Sequence, residues 1–188
     1  LAMYGAKKSG RNVVRFFDPA MQHELEQRTR LESDLRRSLT DQQLRLYCQS
    51  QVDQTGKVIG AEVLLRWQHP ERGLVPPMDF IPFAEEIGLI IPIGQWLLRE
   101  ACLHLKRWEA CAETRPILLS VNVSAREFRQ PDFIPNMQAI LAETGANPAR
   151  LELEITESLL LEGIDEFIVK MREMKAMGIS FALDDFGT

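Results

Sequence analysis

No stretch of this sequence approaches the run of about 18 to 20 apolar residues that a membrane-spanning helix needs, and no secretory leader opens it. A span or a cleaved signal is therefore not expected within it. Positive charge is in deficit: 22 Lys and Arg stand against 27 Asp and Glu, a net charge of −5. No basic cluster is broad enough for a polynucleotide footprint. An anionic ligand would have to be held by metal cations or by a few local arginines. Cysteine is scarce, and Cys48, Cys102 and Cys111 are odd in number with no metal-ligand spacing, which predicts free thiols in a reducing cytoplasm. His23, His69 and His104 are scattered, so a zinc site lacks its usual ligands. The 188 residues suffice for one ordinary domain. They fall short of a complete (β/α)8 barrel, typically about 250 residues.

What the sequence does contain is one alternating pattern, repeated. In Gly60 to Trp67, an extended backbone puts Glu62, Leu64 and Arg66 on one face and Val63, Leu65 and Trp67 on the other. The second face is wholly apolar. The first carries an acid and a base two steps apart, which is costly inside a core unless the carboxylate has a metal or hydrogen-bond partner. Taken alone, this octapeptide also fits an edge strand with a solvated Glu and Arg. The pattern returns in Leu118 to Ser124 (apolar Leu119, Val121, Val123; polar Ser120, Asn122, Ser124) and in Leu151 to Thr156 (apolar Leu151, Leu153, Ile155; polar Glu152, Glu154, Thr156). It returns again in Ile179 to Asp185, where Ile179, Phe181 and Leu183 alternate with Ser180, Ala182 and Asp184. Each run places a carboxylate or amide late, opposite its apolar set, and the intervals are long enough for crossover helices. Strands alternating with helices predict a parallel sheet, and in a closed α/β barrel the reactive groups gather at the C-terminal strand ends.

Five segments then carry a resemblance: Glu62-Val63-Leu64-Leu65-Arg66-Trp67, Phe80 to Ile90, Asn122-Val123-Ser124, Glu154-Ile155-Thr156-Glu157 and Asp184-Asp185-Phe186-Gly187. In this order they closely resemble the EAL family of cyclic di-GMP phosphodiesterases, from about Leu39 to the last residue. Val63 replaces the usual alanine of the name-giving motif, at a position that points away from the polar face. The fold implied is a TIM-like (β/α) barrel of the EAL type, truncated after the fifth or sixth strand, because Asp184 to Thr188 end a strand with no closing helix after them. The lysine, glutamate and glutamine that the family takes from later strands would fall beyond Thr188. Ala2 to Asn12 resembles the C-terminal end of a GGDEF (diguanylate cyclase) domain. The expected division is thus a GGDEF-like remnant at 1–18, a helical linker at 19–39, and the first two thirds of an EAL domain at 40–188.

The remaining segments read as scaffolding. Pro19 to Leu39 is charged, with a thin stripe of Met21, Leu25, Leu31, Leu35 and Leu39; it reads as a connector packed on the barrel, a dimerising coiled coil being the alternative. Leu44 to Val52 reads as the first barrel strand. His69 to Gly73 is a turn, and Asp79 is the expected N-cap of a helix begun by Phe80 to Ala84. Glu85 and Glu86, adjacent on that helix, do not face each other and read as solvated. Gln95 to Ala112, Phe133 to Thr144 stopped by Gly145, and Gly163 to Met177 stopped by Gly178 are the further helices. Ser124-Ala125-Arg126-Glu127 fits a capping box.

Glu62, Asn122, Glu154, Asp184 and Asp185 all supply oxygen, and they converge only if their strands lie side by side. Hard oxygen donors select Mg²⁺ or Mn²⁺, and closely packed carboxylates need such a cation to relieve their repulsion. The resemblance implies a two-metal site on these five residues, with Asp184 bridging and Asp185 on the second ion, and catalytic roles for Glu62, Asp184 and Asp185. It also implies substrate contacts from Gln49, Leu65 and Arg66, with Glu157 anchoring the loop after Asp184. Arg66, on the face of Glu62, suits a phosphate oxygen by its planar fork. Glu157 is equally readable as a helix N-terminal acid, and Asp184-Asp185 alone as a turn. The expected reaction is metal-dependent hydrolysis of cyclic di-GMP to linear pGpG. Alternatives are a non-catalytic EAL-type receptor for the same nucleotide and an unrelated Mg²⁺ barrel enzyme. Expected partners are cyclic di-GMP, an upstream GGDEF domain in the same parent chain, and a second copy of the chain; that parent could be tethered to a membrane through upstream segments.

Overall fold

The computed structural model describes residues 19–156 and 164–184. The expected GGDEF-like remnant, Glu157 and Asp185 lie outside them. The described residues open with helix α1 (Pro19–Thr40), followed by strands β1 (Leu44–Val52), β2 (Val58–His69) and β3 (Gly73–Val75). A 3-10 turn at Pro77–Asp79 leads into helices α2 (Ile81–Ile87) and α3 (Ile90–Trp108). Strand β4 (Leu118–Asn122), the one-turn helix α4 (Ala125–Phe128), helix α5 (Phe133–Thr144), strand β5 (Leu151–Thr156), helix α6 (Ile164–Ala176) and strand β6 (Ser180–Asp184) complete it.

The main sheet runs β1-β2-β4-β5-β6, with β3 paired to the end of β2. From β2 onward the long-range neighbours are parallel, as the strand–helix alternation predicts. β1 departs from that expectation and pairs antiparallel with β2. The reason is the connection. Asp53 accepts at Oδ1 from the Thr55 N–H (2.8 Å), the Thr55 hydroxyl (2.6 Å) and the Lys57 N–H (3.1 Å), and Gly56 takes a left-handed φ of 81°. So tight a turn can only return the chain alongside itself; a parallel neighbour needs a crossover of a dozen residues or more.

The alternation within the strands is as read. Val63, Leu65 and Trp67 of β2, Leu119 and Val121 of β4, and Leu151, Leu153 and Ile155 of β5 are all buried. They form a floor on which Ile93, Leu97, Ala101 and Leu105 of α3, Met137 and Ile140 of α5, and Phe167 and Met174 of α6 pack into one core. At roughly 1.5–3 kcal/mol per fully buried large apolar side chain, this layer supplies the main force holding the polar face of the sheet in shape.

Helix α1 docks by the second half of its stripe: Leu35 is 0% exposed and Leu31 and Leu39 pack on the core, whereas Leu25 is 46% exposed. Arg28 pairs with Glu86 of α2 at 2.5 Å and lies over the Phe83 ring at 5.4 Å. The scattered histidines include one structural member. His69 is buried, its Nδ1 accepts the Glu71 and Arg72 N–H groups, and its Nε2 stands 3.3 Å from Asp34 Oδ2 on α1.

Several boundaries moved. α2 starts at Ile81 with Phe80 as N-cap and no side-chain cap, because Asp79 is consumed as the last residue of the preceding 3-10 turn. α3 begins at Ile90 rather than Gln95 and ends at Trp108. The capping box at Ser124 and Glu127 and the Gly145 C-cap stand where the sequence placed them.

Candidate functional site

Register decides which residues of the polar face can meet. Glu62 on β2 stands opposite Ser120 on β4, and Asn122, two residues on, stands opposite Glu154 on β5. Glu154 in turn aligns with Ala182 on β6, and Thr156 with Asp184. Glu62, Asn122 and Glu154 therefore share one face of three adjacent strands, Asn122 and Glu154 late in theirs and Glu62 in the middle of β2, and Asp184 occupies a register position on that same face. Asn122 donates from Nδ2 to Glu62 Oε1 at 3.0 Å.

One layer deeper, Glu152 accepts from the Ser120 hydroxyl at 3.0 Å and from the Ser180 hydroxyl at 3.3 Å. That network ties β4, β5 and β6 together beneath the acidic positions. In the sequence Glu152 is one polar position of the alternation and nothing more. Its hydroxyl partners lie 32 and 28 residues away and become visible only with the register.

The antiparallel β1 brings its own residues to this face. Gln49 pairs directly with Glu62, Tyr47 with Leu64, and Arg45 with Arg66. Gln49 and the half-buried Arg66 thus stand on the face of Glu62. Arg45 was not anticipated. It becomes a neighbour of Arg66 because the hairpin is antiparallel, while its guanidinium donates to the carbonyls of Gln42 and Leu44. Arg66 donates from Nη1 to the Leu65 carbonyl at 2.9 Å.

Leu65 does not belong to the group. It is 6% exposed, on the apolar face with Val63 and Trp67, and the strand pleat separates it from Glu62 and Arg66. Leu64 is the leucine on the polar face, and the expectation of a substrate contact from Leu65 is corrected to that extent.

Among the described residues, no three Asp, Glu, His or Cys side chains already stand close enough to hold a metal. The described donors are two carboxylates and one amide, all oxygen, with no thiolate or imidazole. Such a set fits a hard divalent cation such as Mg²⁺ or Mn²⁺ and does not fit zinc.

The EAL domain model matches residues 32–188. The chain belongs to the EAL family. Among relatives of this EAL domain is the bifunctional diguanylate cyclase/cyclic di-GMP phosphodiesterase MucR of Pseudomonas aeruginosa, 38% identical over 188 residues, which cover 100% of this chain and 27% of that protein. The cyclic di-GMP phosphodiesterase PdeR of Escherichia coli K12 is 34% identical over 187 residues, 100% of this chain and 28% of that protein. The solved structure of the PaMucR phosphodiesterase in complex with c-di-GMP superposes with a TM-score of 0.81 at 38% identity, covering 85% of this chain and 64% of that one. The chain thus spans about a quarter of the length of these two curated relatives. No helix among the described residues is long and apolar enough to cross a membrane.

Proposed function

We propose that this EAL domain hydrolyses one phosphodiester of cyclic di-GMP to give linear pGpG. The observation that carries the reading is the in-register convergence of Glu62, Asn122 and Glu154 on one sheet face, beside Arg66. Kinship with MucR and PdeR supports the choice of substrate.

Glu62, Asn122, Glu154, Asp184 and Asp185 would hold one or two divalent cations, Mg²⁺ or Mn²⁺. When bound, such cations lower the pKa of a water and draw charge off a phosphodiester oxygen in an in-line displacement. The chain's own residues do the rest. Arg66 offers a fork of donors to the phosphate. Leu64, between Glu62 and Arg66 on the same face, supplies apolar contact to the nucleotide. Gln49, opposite Glu62, reads a guanine edge through its amide. Water adds to phosphorus, the bond to the ribose 3′ oxygen breaks, and that oxygen leaves as a hydroxyl. Glu157 anchors the loop after Asp184. The free thiols Cys48, Cys102 and Cys111 suit a reducing cytoplasm, and a GGDEF domain would precede α1 in the parent chain.

The test is chromatography of the full-length protein incubated with cyclic di-GMP and Mn²⁺, with and without EDTA. pGpG that disappears on chelation is expected. Tight nucleotide binding without any product would contradict the enzyme and leave a receptor.

A further inference from the structure

Asn122 is the last residue of β4, and only Val123 and Ser124 separate it from α4. Both are pinned. The Val123 N–H donates to the Glu154 carbonyl at 2.9 Å. Ser124 donates to Glu127 Oε2 from its N–H at 3.1 Å and from its hydroxyl at 2.5 Å, and the Glu127 N–H returns a bond to Ser124 Oγ at 3.3 Å.

A capping-box glutamate is usually a surface residue, yet Glu127 is 5% exposed. Space for it comes from α3. A Cβ at Gly94 would stand 1.4 Å from Glu127 Oε1 and 2.4 Å from its Cδ. Glycine inside a helix costs about 1 kcal/mol relative to alanine, and the close approach of the carboxyl explains its presence in the second turn of α3. Gly94, Asn122, Ser124 and Glu127 line one groove between α2, α3, the middle of β2 and the end of β4.

The rest of α4 is clamped from other sides. Arg126 donates to the Glu85 and Glu86 carbonyls at the end of α2. The Lys170 Nζ of α6 donates to the Phe128 and Gln130 carbonyls at 3.0 Å each. The Phe128 ring packs on Phe133 at 5.2 Å and Phe167 at 5.0 Å. α4 is therefore a fixed point on the helical layer, and Glu127 is the side chain that ties the Asn122 strand end to it.

We propose that Glu127, seated in the space left by Gly94, is a positioning residue that sets the oxygen of Asn122 toward a divalent cation by holding Ser124. This rests on the reading of Asn122 as a cation ligand given above. Glu127 acts through the N–H and hydroxyl of Ser124, next but one to Asn122, and is a positioning residue and not a ligand. The geometry asks for an acceptor of the right length at position 127, not for a charge. Burial supports this: it pushes the Glu127 carboxyl up to about 7, with the Ser124 hydrogen bonds pulling it back and Glu85 adding to the rise.

The test is Mn²⁺ affinity of the full-length protein, read from the electron paramagnetic resonance signal of free Mn²⁺, alongside thermal melting. Glu127→Ala should bind Mn²⁺ about tenfold more weakly, the usual scale for loss of an outer-shell partner. Gly94→Ala should do the same, because its methyl evicts the carboxyl. Glu127→Gln, which keeps the acceptor and the length, should bind as the wild type does. The double variant Glu127→Ala, Gly94→Ala should be no weaker than Glu127→Ala alone. A lowered melting temperature with unchanged Mn²⁺ affinity in both single variants would mean a purely structural role and overturn the proposal. If Glu127→Ala does not melt cooperatively, Gly94→Ala and Glu127→Gln decide. A wild type that binds no Mn²⁺ would remove the cation reading itself, and this proposal with it.

Discussion

Asn122 on β4 and Glu62 on β2 are joined by a 3.0 Å hydrogen bond from the amide Nδ2 to Oε1. The bond leaves the amide oxygen of Asn122 and the second oxygen of Glu62 as acceptors on the same sheet face. Exchanging the amide for a carboxylate removes the donor and sets two like charges against each other. Asn122→Asp should therefore lower the stability of the metal-free protein by about 1 kcal/mol, the net worth of an ordinary hydrogen bond. Saturating Mn²⁺ should return more stability to this variant than to the wild type, because the cation answers the added charge. Urea denaturation with and without Mn²⁺ measures both; equal metal-induced stabilisation in the two proteins would contradict the placement of Asn122 beside the cation.

Arg66 supplies the phosphate contact in this account, and its fork is the property that matters. Arg66→Ala should raise KM for cyclic di-GMP by roughly tenfold or more, in line with the 1.5–3 kcal/mol of a hydrogen bond to a charged group. Arg66→Lys should recover only part of that loss. Steady-state kinetics checks this, and an Arg66→Ala variant with unchanged KM and kcat would remove Arg66 from the site.

Glu127 makes stability depend on pH in a specified direction. Its carboxyl rises from 4.5 to about 7 on folding, through burial first, opposed by the Ser124 bonds and assisted by Glu85. The folded state thus holds its proton more tightly than the unfolded state. The stabilisation is complete below about pH 4.5 and is lost as pH rises through 7, by about 3 kcal/mol at most. Glu127→Gln cannot lose that proton. The stability difference between wild type and Glu127→Gln, from urea melts at pH 5 and pH 8, should move against the wild type at the higher pH; a difference independent of pH would contradict the burial argument.

The polar and apolar faces of β2, β4 and β5 were legible in the sequence because a period of two needs no tertiary information; on β6 Phe181 packs against the core but Leu183 is exposed. Register was not. That Gln49 stands opposite Glu62 and Arg45 opposite Arg66 follows from an antiparallel β1, which the tight turn at Asp53 to Lys57 imposes and which a rule for strands alternating with helices misses. The family resemblance assigned a contact to Leu65, yet the pleat had already put that residue on the apolar side, where it is buried. Asp79 has the chemistry of an N-cap but is taken up by a 3-10 turn. His69 and Glu127 became more than turn and cap residues only through partners far along the chain, Asp34 on α1 and the vacant Cβ position of Gly94 on α3.

Whether the oxygen set around Glu62 serves phosphodiester hydrolysis is read from the rate of pGpG formation from cyclic di-GMP in saturating Mn²⁺, wild type against Glu62→Ala. Product is expected from the wild type, with a loss of at least about a thousandfold, some 4 kcal/mol of barrier, in the variant. A folded Glu62→Ala protein that forms pGpG at the wild-type rate would contradict it.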